Sequence, residues 1–145
     1  MNNTQNSADD YLAVLTLINS RDISETWPLV EQMISDALIR SNEHTANDIL
    51  KDLISGDAQM WLAWHENDGV LGVMVTYMQQ TTLSCHLRIF LCVGEQRKRW
   101  LHHIESVEQW AKNKGANKVS AVVRPGWEKV LPNYRKTHVT LEKNL

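Results

Sequence analysis

The sequence predicts an α/β (α+β) fold in which a mixed, mostly antiparallel central sheet is flanked by helices. Three observations lead to this prediction. Two stretches within residues 27–56 place apolar side chains at three- and four-residue spacing, which is the period of one helix face. Residues 60–93 change to short apolar runs and then to strict alternation, which is the period of strands. Residues 100–123 return to helical spacing and end in a continuous apolar run, typical of a strand covered on both faces.

Composition bounds the class of protein. The 145 residues suit one domain, which we expect at residues 11–145 after a polar, flexible arm at residues 1–10. A formal net charge of −2 gives no electrostatic footprint for nucleic acid. No apolar run reaches the ~18–20 residues that span a membrane, and no signal-peptide pattern opens the chain, so a cytoplasmic location is expected.

The two cysteines, Cys85 and Cys92, are too far apart along one strand for a disulfide and lack zinc-ligand spacing, so we expect no metal.

The first half of the chain predicts one strand and two helices. Residues 14–18 favour a strand, with a short helix as the alternative. A helix follows with Pro28 in its first turn, where a missing N–H is tolerated. Thr45 and Asp48 have capping-box spacing and begin a second helix, which Gly56 ends. The buried stripe of the first helix is expected to hold Trp27, Val30, Ile34, Ala37 and Leu38.

The middle of the chain predicts an antiparallel meander. Strands are expected at residues 60–65 and 70–78, joined by a turn at Asp68 and Gly69, and a longer strand is expected at residues 83–93. Trp61 and Trp64 lie on opposite faces of the first of these, so one of them is expected to be exposed. The alternation of the longer strand predicts one face made of Leu83, Cys85, Leu87, Ile89, Leu91 and Val93.

The last part begins with the segment "GEQRKRW" at residues 94–100. A long helix is expected to open directly after it and to stop at residues 113–115. A buried strand at residues 118–123, a short helix interrupted by Pro132 and a final strand at residues 137–143 are expected to follow. Strand, short loop and helix is an arrangement that binds phosphate groups, yet no glycine occurs between Gly94 and Gly115.

This order of elements resembles the GNAT (N-acetyltransferase) fold from about Val14 to Leu141. The segments that carry the resemblance are "LTLINSRDISETWPLVEQM" and "VEQWAKNKGANKVSAVVRPGWEKVLPNYRK". The resemblance implies acetyl-coenzyme A as cofactor, a V-shaped split between two central parallel strands, and transfer of an acetyl group to an amine. It also implies that the diphosphate of the cofactor lies between the fourth strand and the long helix.

At that place the chain departs from the pattern of the family. Arg99 and Trp100 fall near the positions of its glycines, where a side chain would crowd the phosphates. One hypothesis is that the cations of Arg97, Lys98 and Arg99 hold the diphosphate instead. The other, which we favour from the sequence, is a solvated basic turn with Trp100 filling the space, so that no cofactor is bound.

The resemblance also assigns candidate catalytic residues. Tyr134 matches the acid of the family by position, with packing near Pro132 as its alternative role. A base would come from His86, on the polar face of the long strand, or from Glu95. An ordinary surface histidine is the alternative for His86.

Near its end the chain resembles GNAT-like proteins that tailed bacteriophages encode among their virion genes, over "RPGW", "VLP", "YR" and "LEK" at residues 124–143. This resemblance implies a phage protein in the host cytoplasm or in the virion, with other virion proteins or a second copy as partner. From the sequence we predict a catalytically degenerate protein that acts through protein–protein contacts in virion assembly. The alternative is an active acetyl-coenzyme A-dependent N-acetyltransferase that modifies a host or phage amine.

Overall fold

The structure is a computed structural model, and it describes residues 11–145. The predicted arm at residues 1–10 lies outside the described residues. Five strands form one sheet in the order of the chain, antiparallel except for the parallel last pair. The strands are β1 Val14–Ile18, β2 Ala58–His65, β3 Gly69–Gln80, β4 Cys85–Gly94 and β5 Lys118–Ala121. The predicted mixed, mostly antiparallel sheet with flanking helices is therefore confirmed.

Helices α1 (Ile23–Ile39) and α2 (Ala46–Ser55) cover one face of the sheet. The capping box of α2 is present, since Thr45 and Asp48 exchange side-chain and backbone hydrogen bonds. The helix ends at Gly56, whose φ is +86°. Pro28 does not lie in the first turn of α1 as predicted, because this helix begins earlier, at Ile23, so Pro28 stands in the second turn.

Helix α3 (Ile104–Asn113) packs on the opposite face of the sheet. The prediction that it opens directly after the basic segment is wrong, because two 3₁₀ turns, Arg97–Arg99 and Leu101–His103, come first. Between these turns Trp100 has φ −143°, outside the helical range, and its indole is buried. The helical path is therefore interrupted at the buried Trp100.

The alternation predicted for β4 is broken by a bulge at Phe90. Val75 of β3 pairs with Leu91 and the next residue of β3 pairs with Ile89, so Phe90 is left without a partner. As a result Leu87 and Ile89 pack with α3, whereas Leu91 and Val93 pack with α1 and α2. The predicted single face of residues 83–93 is therefore wrong, since a bulge exchanges the two faces.

The chain after β5 has less regular structure than expected. β5 stops at Ala121, and Val122 is exposed, so the predicted buried strand is shorter. A 3₁₀ turn, Pro125–Lys129, takes the place of the predicted short helix, and residues 137–143 form no strand. Alternating residues become a strand only where a neighbouring strand pairs with them, and no strand pairs with this segment in the described structure. No helix within residues 11–145 is both long enough and apolar enough to cross a membrane.

Candidate functional site

The parallel pairing of β4 and β5 ends early. The last paired residues are Ile89 and Ala121, while β4 continues to Gly94. A cavity of about 270 Å³ lies at this unpaired end of β4. We call it the cleft, and it is lined by Cys92, Val93, Gly94, Gln96, Arg97, Trp100 and Trp127. β5 ends at Ala121, so the carboxyl-terminal part of β4 extends beyond it, and the V-shaped split that the sequence resemblance implies stays a prediction.

Two indole rings form much of the wall of the cleft. Trp100 is 1% exposed, and its Nε1–H donates to the carbonyl oxygen of Glu95 at 2.9 Å. The ring packs so tightly on β3 that a Cβ added to Gly72 would lie 2.7 Å from it. Trp127 is half-buried, and the guanidinium carbon of Arg97 lies 4.9 Å from the centre of its ring. The cleft therefore combines an aromatic wall with a cation.

The backbone of the loop approaches β3 through a glycine. Gly94 has φ +145°, and a Cβ there would lie 2.3 Å from the carbonyl oxygen of Leu71. The N–H of Glu95 donates to the same carbonyl at 2.8 Å. Gly94 is thus required for close packing against the neighbouring strand, since any side chain would collide with it.

The three predicted phosphate-binding cations point in different directions. Arg97 is exposed and lines the cleft, and Lys98 is exposed but does not line it. Arg99 is buried, and its guanidinium donates to Gln96 Oε1 at 2.9 Å and pairs with Asp68 Oδ2 at 2.8 Å. These contacts give Arg99 protein partners in place of solvent. Phosphate binding by the basic segment stays a prediction, for which Arg97 has the most suitable position.

Tyr134 lies beside α3. Its hydroxyl donates to Glu108 Oε2 at 2.6 Å, and it packs in the core between α3 and the sheet. Burial, and next the Glu108 carboxylate, raise the pKa of Tyr134, so the phenol keeps its proton at physiological pH. A protonated phenol can donate a proton, but the raised pKa makes it a weaker acid than an ordinary tyrosine. Tyr134 does not line the cleft, and its catalytic role stays a prediction.

The two candidate bases are separated from each other. His86 lies on the paired part of β4, opposite Lys118 of β5, and its buried Nδ1 has no hydrogen-bond partner among the described residues. Burial, then Lys118 and Arg88, lower the pKa of His86, which favours the neutral imidazole. Glu95 is exposed in the loop next to the cleft. Among the described residues, the hydroxyl of Tyr134 bonds to Glu108 and makes no hydrogen bond to His86 or Glu95, and the roles of these two residues stay predictions.

Three functional candidates were missed by sequence reasoning. Gln96 and Cys92 line the cleft, and Asp68 holds Arg99. Burial raises the pKa of the Cys92 thiol to about 12. The position of Cys92 near the carboxyl end of β4 was a usable signal, whereas nothing in the sequence linked Asp68 to Arg99. Residues 11–145 contain no group of three metal-ligating side chains.

Comparison with known proteins gives structural likeness without sequence likeness. No protein-family model and no curated protein sequence matches the chain. An aminoglycoside acetyltransferase, meta-AAC0020, from an uncultured soil metagenomic sample, solved in complex with sisomicin, is similar with a TM-score of 0.67 at 13% identity, over 94% of this chain and 98% of that one. A putative acetyl transferase from Pyrococcus furiosus gives 0.64 at 20% identity, over 90% and 99%.

A GNAT family acetyltransferase from Staphylococcus aureus gives a TM-score of 0.60 at 14% identity, over 92% of this chain and 99% of that one. The structural likeness establishes the fold, whereas identities this low leave the activity open. The likeness covers at least 90% of this chain, which has a mixed five-stranded sheet with helices on both faces. The chain therefore has the GNAT acetyltransferase fold.

Proposed function

We propose that the protein binds acetyl-coenzyme A in the cleft and transfers the acetyl group to an amine. The observation that carries this proposal is the cleft itself, which lies where β4 extends beyond its pairing with β5. The acetyltransferases of the same fold support the choice of cofactor. When bound, the coenzyme would supply an acetyl group activated as a thioester.

The residues of the cleft fit part of such a cofactor. A volume of about 270 Å³ is just below the range of roughly 300–1,000 Å³ for complete ligand pockets. The cleft would therefore enclose one portion of the coenzyme and leave the rest on the surface. Arg97 would pair with the diphosphate as a charge-assisted donor, and Cys92 and Val93 give a less polar wall for the pantetheine arm.

Three residues outside the cleft are proposed for proton transfer. Tyr134 would act as the acid that protonates the departing thiolate, because of its position in the resemblance; its raised pKa keeps the phenol protonated but makes it a weaker acid than an ordinary tyrosine. His86 would act as the base, because its lowered pKa leaves the imidazole neutral and able to accept a proton. Glu95 is the alternative base, as an exposed carboxylate beside the cleft.

Calorimetric titration with acetyl-coenzyme A tests the proposal. We expect a micromolar dissociation constant for the native chain. Loss of one charge-assisted contact in Arg97→Ala should weaken binding by about tenfold or more, and added salt should reduce the difference. Lys51→Ala, which removes an exposed cation from α2, is the matched control and should bind like the native chain. No heat from the native chain at millimolar ligand would contradict the proposal.

We propose, as a second candidate, a catalytically degenerate protein that acts through contacts in virion assembly. The stacking of Arg97 on Trp127 favours it, because the one cation that lines the cleft among the described residues already has a partner within the chain. The sequence resemblance of residues 124–143 is the reason for choosing phage virion proteins or a second copy as partners, in the host cytoplasm or the particle. Absence of coenzyme binding, together with the protein's recovery in purified phage particles by mass spectrometry, would favour this candidate.

A further inference from the structure

Arg99 joins three segments that are distant in the sequence. Its guanidinium pairs with Asp68 in the turn between β2 and β3, and donates to the carbonyl oxygen of Tyr11, ahead of β1. It also donates to the side chain of Gln96 in the loop after β4. Only 4% of Arg99 is exposed, so these groups replace the water that a free guanidinium would have.

The backbone supports the same junction. The N–H of Ala13 donates to the carbonyl oxygen of Arg99 at 3.0 Å, and Nε2 of His103 lies 2.9 Å from the carbonyl oxygen of Ala13. Asp68 itself is half-exposed and lies 3.5 Å from Nδ1 of the buried His65. The side chain of Arg99 is thus held from several sides.

The contact with Gln96 connects this junction to the cleft. Gln96 has φ +51° and ψ +47°, a left-handed conformation that is uncommon for a residue other than glycine. Such a conformation persists where surrounding contacts hold it. Gln96 lines the cleft, and so does Arg97, which follows it directly. The conformation of Gln96 therefore sets the direction in which Arg97 leaves the backbone.

We propose that Arg99 and Asp68 are positioning residues, which hold the loop at residues 95–98 so that Gln96 and Arg97 line the cleft. Arg99 is then a support for the anion-binding residue and makes no contact with the ligand. This inference rests on the proposed coenzyme site. It also gives the turn between β2 and β3 a function, since this turn supplies the counter-charge that fixes the loop.

A purely structural role for the ion pair makes a different prediction. If Asp68 only stabilises the fold, its loss leaves the affinity of the folded chain unchanged. If Asp68 contributes to binding independently of Arg97, the two losses of affinity add, whereas if it acts through Arg97 its removal costs no further affinity once Arg97 is absent. The single variant excludes the purely structural role, and a double-mutant cycle separates the other two, because coupled residues give non-additive effects.

The experiment measures acetyl-coenzyme A binding by calorimetry for the full chain and for Asp68→Ala, Asp68→Glu, Arg97→Ala and the double variant Asp68→Ala/Arg97→Ala. Glu66→Ala removes an exposed carboxylate from the same turn and is the matched control. We expect Asp68→Ala to weaken binding about fivefold or more, Asp68→Glu and Glu66→Ala to bind within about twofold of the native chain, and the double variant to match Arg97→Ala.

Trypsin gives a readout that needs no ligand, since it cleaves after Arg97 and Lys98. We expect faster cleavage of this loop in Asp68→Ala than in the native chain or in Glu66→Ala, with urea denaturation confirming that each variant is folded. Unchanged cleavage in Asp68→Ala would overturn the inference. So would native affinity in Asp68→Ala, or additive losses in the double variant. A native chain that binds no coenzyme would instead overturn the proposed function, and with it this role of the loop.

Discussion

At the residue scale, neighbouring cations of one short segment have different surroundings. Arg97 is exposed at the cleft, whereas Arg99 is buried against Asp68. The sequence predicted the basic segment and its place before a helix, but it could not separate these residues. The buried guanidinium of Arg99 pairs with the carboxylate of Asp68, in the distant turn between β2 and β3, and no pattern in the local sequence indicates such a contact. Cys92 is a similar case, because the sequence predicted that it forms no disulfide but did not predict that it lines the cleft.

The thiol of Cys92 should be unreactive in the folded protein. Burial raises its pKa to about 12, so at pH 8 only about one molecule in 10⁴ carries the reactive thiolate. In a Cys85→Ser variant, which leaves Cys92 as the single thiol, we expect slow labelling by a disulfide reagent such as DTNB. The rate should rise about tenfold per pH unit and become fast in urea. Native labelling as fast as labelling in urea would show that Cys92 is not buried in this way.

At the scale of elements, the periodicity of the sequence correctly predicted the features that depend on nearby residues only. The first strand, the capping box of α2 and the stop at Gly56 lie where expected, because caps and turn residues act within a few positions. The bulge at Phe90 was missed, since the alternation continues through it unchanged in the sequence. The strand predicted at residues 137–143 is absent from the described structure. The sequence alternates there, but a strand also needs a neighbouring strand to pair with, and the local sequence does not report whether one is present.

The junction of β4 with the loop gives an element-scale prediction. Gly94→Ala should lower the free energy of unfolding by about 3 kcal/mol, because the new Cβ meets the carbonyl of Leu71 and φ is +145°. Gly126→Ala is the matched control, since no atom lies within 4 Å of a Cβ there, and it should change stability by less than about 0.5 kcal/mol. Urea denaturation measures both. Equal effects of the two substitutions would contradict the packing described for Gly94.

At the scale of the whole molecule, the order of elements predicted the fold class, and the structure confirms it. A fold class follows from the order and period of many residues, so single errors do not change it. The site depends on a few long-range contacts, and therefore less of it was predicted. The role in virion assembly, which the resemblance to phage proteins implies, stays a prediction, because it concerns partners that lie outside this chain.

Stability should fall as the pH drops below neutral. The folded pKa of His86 is lowered by burial, Lys118 and Arg88, and that of His102 is lowered by burial and His103. The unfolded chain, with histidine pKa values near 6.5, takes up protons first, so stability is complete above that pH and is lost below it. We expect the free energy of unfolding in urea to be lower at pH 5 than at pH 7.5.

His86→Asn should reduce this dependence on pH, because it removes one of the groups that titrate differently in the two states. His138→Asn, in the exposed segment after Tyr134, is the control and should leave the dependence unchanged. A pH dependence that is the same in His86→Asn and in the native chain would contradict the buried environment assigned to His86.

The central claim is that the cleft at the end of β4 binds the coenzyme, and the indole signals of a ¹⁵N-labelled sample test it most directly. The chain has six tryptophans, of which Trp100 and Trp127 line the cleft, while Trp27 belongs to α1 and is buried in the core between the sheet and the helices α1 and α2. Tryptophan-to-phenylalanine variants would assign the signals. On titration with acetyl-coenzyme A, we predict saturable shifts of the Trp100 and Trp127 signals and an unmoved Trp27 signal. Unmoved Trp100 and Trp127 signals at millimolar coenzyme would contradict the account.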